Sequence, residues 1–240
     1  MKNDLQRVSN LKNGSLPVAI IPARGGSKRI PKKNIKSFNG KPMISYAIKA
    51  LIQSELFSDV IVSTDDPEIA KISESFGAFV PFFRSDELSG DSIGTVEVIA
   101  DLIRSIELQE SQIVCCAYAT NPFLNCSNLA KGLNAILNNS RADFACAVCQ
   151  YPYPIQRAMH LDTDGLMQMI RPENLLRHSQ TFEDMWHDAG QFYFARVSTW
   201  LASKPMLMNT IGVEIDKWQC VDIDDEDDWQ KAELLHKIIQ

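Results

Sequence analysis

Four apolar residues, Val18, Ala19, Ile20 and Ile21, stand between Pro17 and Pro22 and run straight into a loop of glycine and cation. The run is short and rich in β-branching, which predicts a strand covered on both faces. Arg24, Gly25, Gly26, Ser27, Lys28, Arg29, Lys32, Lys33 and Asn34 follow it. Adjacent glycines let a backbone turn sharply and come close to a ligand. Backbone N–H groups exposed in such a turn form an anion nest, and the surrounding cations add long-range attraction. Many charge clusters of this kind are only solvated loops. Here the cluster lies at the carboxyl end of the first strand, where open α/β sheets bind ligands, so a phosphorylated ligand is the expectation. The spacing fits neither the Walker loop nor the G-x-G-x-x-G dinucleotide fingerprint.

Downstream, apolar residues at helical spacing predict a helix over 42–54, a strand over 59–63, a helix over 67–76 ended by Gly77, and a strand over 78–83 closing on Arg84. A polar turn at 89–95 leads into a helix through Leu108, a strand at 112–117, a helix at 128–137 and a strand at 143–149. This alternation predicts an α/β fold with a doubly wound, mostly parallel sheet. The prolines of Tyr151-Pro-Tyr-Pro-Ile-Gln-Arg157 interrupt the rhythm, and about 151–187 reads as an excursion from the sheet. A strand at 191–195, a helical turn at 198–201, a strand at 212–215, a return to the sheet at 217–222 and an amphipathic helix from Asp225 complete the chain.

A chain of 240 residues suits one large domain, 17–240. Its net charge of −6 argues against nucleic-acid and anionic-membrane partners, and no apolar run approaches a membrane span. Residues 1–16 lack the apolar core of a secretory signal and read as a poorly ordered leader. Cys146 and Cys149 form a C-x-x-C with no second pair or neighbouring histidine in the sequence, and strand periodicity turns them to opposite faces. All six cysteines therefore read as reduced thiols of a cytoplasmic protein. No Ser–His–Asp or Cys–His nucleophile pattern stands out, which argues against a covalent intermediate.

Two carboxylates near the C-terminus, Asp222 and Asp224, are separated by one residue in Cys-Val-Asp-Ile-Asp-Asp-Glu. On a strand both face one side and can meet a single Mg2+ ion together with phosphate and water. Asp225, Glu226, Asp227 and Asp228 read as a solvated helix start, and Lys32 and Lys36 as solvated cations.

The stretch Ile-Pro-Ala-Arg-Gly-Gly-Ser-Lys-Arg-Ile-Pro-Lys-Lys-Asn, 21–34, resembles the signature of the CMP-sugar synthetases, the cytidylyltransferases that activate sialic acid and related nonulosonic acids. That signature reads approximately I-P-A-R-x-G-S-K-R-x-x-x-K-N, and every fixed position matches. Further similar stretches extend the resemblance from about Val18 to the C-terminus. It implies a Rossmann-like nucleotidyltransferase fold and a homodimer whose small insertion, here 151–187, reaches over the neighbouring subunit's site. It also implies the reaction: the anomeric hydroxyl of a nine-carbon keto-acid sugar attacks the α-phosphate of CTP, and pyrophosphate leaves. The product would feed bacterial surface or flagellin glycosylation.

Carried over residue by residue, the resemblance makes Arg24, Lys28 and Lys33 catalytic phosphate ligands. It assigns the nucleotide to these three with Gly25, Gly26, Ser27, Asn34, Asp91, Thr95 and Thr120, and Mg2+ to Asp222 and Asp224. Arg84 and Arg177 match arginines near the family's ligands and are placed with the sugar, leaving nucleotide contact open. The sialate enzymes commonly carry Q-P-T-S-P where this chain has Tyr118-Ala119-Thr120-Asn121-Pro122. A phenol in place of that glutamine offers apolar contact and one hydroxyl. Together with Arg157 in the 151–157 stretch and His187, Asp188, Gln191 and Tyr193 in Trp-His-Asp-Ala-Gly-Gln-Phe-Tyr, it resembles the branch acting on pseudaminic acid. His187 and Asp188 read as sugar-binding or loop-ordering, since neighbours in sequence rarely face each other. CMP-sialate, CMP-legionaminate and CMP-Kdo synthesis are the alternatives within the class. A non-catalytic nucleotide-binding regulatory subunit is the alternative outside it, and the presence of Arg24, Lys28, Lys33, Asp222 and Asp224 weighs against that.

Overall fold

The structure is a computed structural model and describes residues 2–239. It opens on helix α1 (Lys2–Asn13), which corrects the expected poorly ordered leader. The order comes from partners far along the chain. Leu11 is buried against the sheet, Arg7 pairs with Asp59 and Lys12 with Glu107, while the Gln112 amide donates to the Leu11 and Gly14 carbonyls at 2.9 Å. Those last two bonds satisfy carbonyls that a helix end leaves open.

Strand β1 (Val18–Pro22) follows, then a short hairpin of β2 (Ser37–Phe38) and β3 (Lys41–Pro42), helix α2 (Ile44–Gln53) and strand β4 (Asp59–Ser63). Helix α3 (Pro67–Ser75) begins at Asp66, whose carboxylate accepts from the Glu68 and Ile69 N–H groups, and ends before Gly77 at φ 96°. The expected strand over 78–83 is reduced to two isolated bridges, Phe79 to Ile61 and Phe83 to Thr64. Pro81 lies between them and has no N–H to donate to a ladder. Helix α4 (Thr95–Ile106), strand β5 (Ile113–Ala117), helix α5 (Cys126–Leu137) and strand β6 (Phe144–Gln150) come next.

The excursion carries only a small hairpin, β7 (Met159–Leu161) with β8 (Met167–Met169), and short 3-10 turns. Strand β9 (Trp186–Arg196) starts earlier than its sequence rhythm announces. Gly190, at φ 60°, bulges the strand and shifts its register against β6, which hides the alternation upstream. Helix α6 (Val197–Leu201), strand β10 (Thr210–Glu214) and helix α7 (Glu226–Ile239) end the chain. Residues 217–222 do not return to the sheet: Asp216 caps a 3-10 turn at Lys217–Gln219 by accepting from the Trp218 N–H, and an irregular segment follows.

The main sheet has the order β10-β6-β9-β5-β1-β4, parallel throughout except for β9, which runs antiparallel to both of its neighbours. Alternate residues feed opposite layers. Ala19 and Ile21 join α2, α3 and α5 on one face, while Val18 and Ile20 join α1, α4 and α6 on the other. Cys149 and Cys146 divide the same way, as their spacing requires. A third cluster of Ile30, Phe38, Met43, Phe123, Ile223, Trp229 and Ala232 ties the basic loop to α7. Since fully burying one large apolar side chain contributes roughly 1.5–3 kcal/mol, this small cluster is a substantial clamp. Strand β1 sits between β4 and β5, reached by connections that leave in opposite directions, so the carboxyl ends of β1 and β5 flank a switch point.

Candidate active site

The basic loop leaves β1 at this switch point and is fixed by bonds from three directions. The Ala23 N–H donates to the Ser63 carbonyl at 2.9 Å, the Asn34 amide to the Arg24 carbonyl at 2.9 Å, and the Ile44 N–H to the Asn34 carbonyl at 2.8 Å. Ile30, buried in the third cluster, pins the middle. Around it opens a cavity of about 420 Å³, walled by Arg24, Ser27, Lys28, Arg29, Lys33 and Asn34, with Asp91 and Thr120 opposite.

Two of the backbone N–H groups expected in an anion nest are engaged within the protein. Gly25 N–H donates to Asp65 Oδ1 at 2.9 Å and Ser27 N–H to the Gly25 carbonyl at 3.0 Å, and neither Gly25 nor Gly26 lines the cavity. Gly25 is required for another reason: a Cβ there would lie 2.7 Å from Asp66 Oδ2. The residues that line the cavity include every cation from Arg24 to Lys33 except Lys32.

Each cation faces a carboxylate. Asp91 bridges Arg24 at 2.7 Å and Lys28 at 2.5 Å, and hydrogen bonds from these two hold its carboxyl below the usual range. Arg29 meets Asp224 at 2.6 Å. Lys33 is half-buried; burial lowers its pKa, opposed by the charges of Asp224 and Asp222. These aspartates flank Ile223, whose burial beside Ile30 brings the acidic segment to the loop. The expected strand is absent, and a single anchored side chain takes over its task.

The cations read as solvated lie at the surface and form ion pairs there. Lys36 bonds Glu226 at 2.6 Å and lies over the Trp229 ring, while Asp228 accepts from the Asp224 N–H at 3.1 Å. Lys32 pairs with Glu68 at 2.5 Å. Nothing in the local sequence announces these partners, which are brought in by α3 and α7.

The residues read as sugar-binding fall into five places. Tyr118, Tyr193 and Asp188 form one: Tyr118 Oη lies 2.9 Å from Thr95 Oγ1, the two tyrosine rings meet edge-on at 5.7 Å, and Tyr193 donates to Asp188. Burial pushes the Tyr118 phenol up to about 12, so it stays protonated. Thr95 thus stands with this group. Arg84 is buried beside Asp65 at 3.7 Å and feels the charge of Arg24; burial is the larger influence and lowers its pKa. Arg157 and Arg177 both lie over the Phe182 ring within the excursion, away from the cavity. Gln191 is fully buried and donates to the Gln219 carbonyl at 2.6 Å. His187 leaves the group altogether, on the sheet face of Cys149.

A family model described as cytidylyltransferase matches residues 18–226. The chain belongs to this family. A pseudaminic acid cytidylyltransferase of Campylobacter jejuni is 38% identical over 92% of this chain and 96% of its own. A CMP-N,N'-diacetyllegionaminic acid synthase of Legionella pneumophila is 26% identical over 93% of this chain and 97% of its own. Among solved structures, a CMP:2-keto-3-deoxy-manno-octonic acid synthetase complexed with CTP superposes with a TM-score of 0.71 at 17% identity, covering 94% of this chain and all of the other. At that identity the likeness shows the fold.

The cations that sequence reasoning named, Arg24, Lys28 and Lys33, line this one basic cavity. Sequence reasoning missed Asp65, Asp66 and Ile223, which position the loop and the acidic segment. The aspartates lay in the turn after β4, and their proximity to Gly25 depends on strand order alone.

Proposed function

We propose that the chain joins CTP to pseudaminic acid, giving the CMP-sugar and pyrophosphate. The observation that carries this is the meeting of the Arg24–Lys28–Lys33 wall with the Asp222–Ile223–Asp224 segment at the carboxyl end of β1. The sugar rests on the 38% identical relative and on Tyr118, a largely apolar contact suited to a deoxy sugar.

The sugar's anomeric hydroxyl loses its proton to solvent as its oxygen forms a bond to the α-phosphorus, the bond from that phosphorus to the bridging oxygen breaks, and pyrophosphate carries away the electron pair. Arg24 offers its rigid fork to phosphate oxygens, and Lys28 and Lys33 act as point charges. Arriving phosphates displace the Asp91 carboxylate from Arg24 and Lys28, so that the 89–95 loop is free to close on the base. Positioning and charge neutralisation then account for the acceleration.

Asp222 and Asp224 fit Mg2+: two hard oxygen donors beside a phosphate-binding wall are the set this ion takes. When bound, it neutralises developing charge and lowers the pKa of the attacking hydroxyl. The protein acts as a homodimer, a reading supported by the exposed apolar side chains of the excursion, among them Leu161, Leu166, Met167, Ile170, Leu175 and Leu176. Among the described residues no helix is long and apolar enough to cross a membrane, and free cysteines accord with a cytoplasmic location.

The test is pyrophosphate release from CTP and Mg2+ with pseudaminic, N-acetylneuraminic and N,N'-diacetyllegionaminic acids at equal concentration. Preference for pseudaminic acid is expected. Preference for either other acid overturns the sugar, and silence with all three overturns catalysis.

A further inference from the structure

One cluster of reactive side chains has no part in the reaction above. Cys149 in β6 and His187 in β9 are directly opposed across their antiparallel ladder, and Cys220 approaches from the segment after β10. One ligand atom from each lies within 4.8 Å of the other two. We propose that Cys149, His187 and Cys220 bind a thiophilic divalent cation of the zinc type, which fastens the segment leading to Asp222 onto the sheet.

The donor set selects the ion. Two thiolates and an imidazole are the ligands of Zn2+ and its softer neighbours, whereas Mg2+ takes oxygen. Bonds of about 2.3 Å to sulfur and about 2.0–2.1 Å to nitrogen make the edge of a tetrahedral site about 3.5–3.8 Å, so small side-chain rotations close the observed spacing. The histidine is already oriented. Its Nδ1 lies 2.9 Å from the Asp188 carbonyl, and since that oxygen only accepts, Nδ1 carries the proton and Nε2 keeps the free lone pair. Tyr151 lies against the ring at 4.8 Å and limits its rotation.

All three ligands border a groove of about 840 Å³ walled on its far side by Leu234, Leu235 and Ile238 of α7. An ion reaches the site through this groove, and its fourth position opens to water there. Cys220 stands two residues before Asp222, and the turn just ahead of it is tied to the sheet by Gln191 at the Gln219 carbonyl and to α5 by Asn125 and Asn128, which donate to the Gln219 side chain. A metal at Cys220 adds a fixed point nearer to Asp222 and Asp224, the carboxylates proposed for Mg2+.

Cobalt gives the test. The full chain is reduced, stripped with a chelator and titrated with Co2+ without oxygen. The expected result is a thiolate-to-cobalt charge-transfer band with tetrahedral ligand-field bands, saturating at a single equivalent and bleached by Zn2+. Cys220→Ser and His187→Gln each weaken cobalt binding by at least about 100-fold, the upper end of what losing a mere outer-shell partner costs. Cys146→Ser, on the opposite face, and Asp222→Asn leave the band in place. Zn2+ raises the thermal midpoint of the unaltered chain and not of Cys220→Ser, since only a native-state ligand stabilises. A band that survives Cys220→Ser, a reduced chain with no band, or a Cys149–Cys220 disulfide found in metal-free purified protein overturns the proposal.

Discussion

The basic loop at 22–34 and the excursion at 151–185 are both irregular, yet one is finished and the other is not. The loop is pinned by Asn34, by Asp65 and by buried Ile30, and its cations converge on one cavity. The excursion satisfies its own polar groups: Gln156 donates to the Glu183 carbonyl and Asn174 to the Gln156 carbonyl, both at 2.9 Å, around Phe182 and its two arginines. Its apolar side chains nevertheless face outward, Leu176 being 90% exposed. Irregular backbone is expensive to order, so it persists where local bonds or a partner surface hold it. The loop has those bonds within one chain; the excursion has local bonds and, besides them, the exposed apolar surface that the proposed dimer would cover.

Breaking the loop's side of this contrast gives the largest effect. Asp224→Asn should lower turnover about 100–1000-fold, the usual cost of one electrostatic contact made in the transition state, with an unchanged thermal midpoint. Near-normal turnover in steady-state assays would remove Asp224 from the ion. Breaking the excursion's side comes next. Leu176→Asp should weaken self-association by at least about 100-fold, because each of two symmetric copies loses roughly 1.5–3 kcal/mol of burial. Light scattering that shows an unchanged oligomer, or a monomer before mutation, would dissociate the excursion from dimerisation.

This contrast also explains what was legible in the sequence. Strand β4, helix α3 and the cations of the loop follow from residues within a few positions of each other, and those were readable. The helix at Lys2–Asn13 was not, because Asp59, Glu107 and Gln112 supply its order from elsewhere. Gly190 concealed five residues of β9 by shifting register, and Asp216 turned an apparent strand into a capped 3-10 turn. For the site, the motif named cations that share one cavity, while the Asp65 anchor and the placing of His187 on the cysteine face depend on strand order. Asp222 and Asp224 were named on a strand that does not exist, and Ile223 supplies the geometry instead.

That substitution of anchor for strand can be sharpened. Ile223→Val removes one methylene from the third cluster and should cost about 0.5–1.5 kcal/mol of stability. It should also raise the Mg2+ concentration for half-maximal activity several-fold, because the flanking carboxylates lose their fixed base. A stability loss without any change in Mg2+ dependence would show that the segment is positioned by α7 alone.

The smallest effect separates burial from charge at Lys33. Its ammonium is the form that holds phosphate, so kcat/KM falls as pH rises through its pKa. Burial lowers that pKa from the ordinary 10.5, and the alkaline limb should therefore lie below it. Asp228 opposes the lowering from a position outside the metal pair. Asp228→Asn removes that opposition while keeping an oxygen for the Asp224 N–H, so the limb should move further down, by a few tenths of a pH unit. A shift upward would mean that Asp228 acts on Lys33 through loop position instead of charge, and the loop's completeness would then depend on α7 as much as on its own bonds.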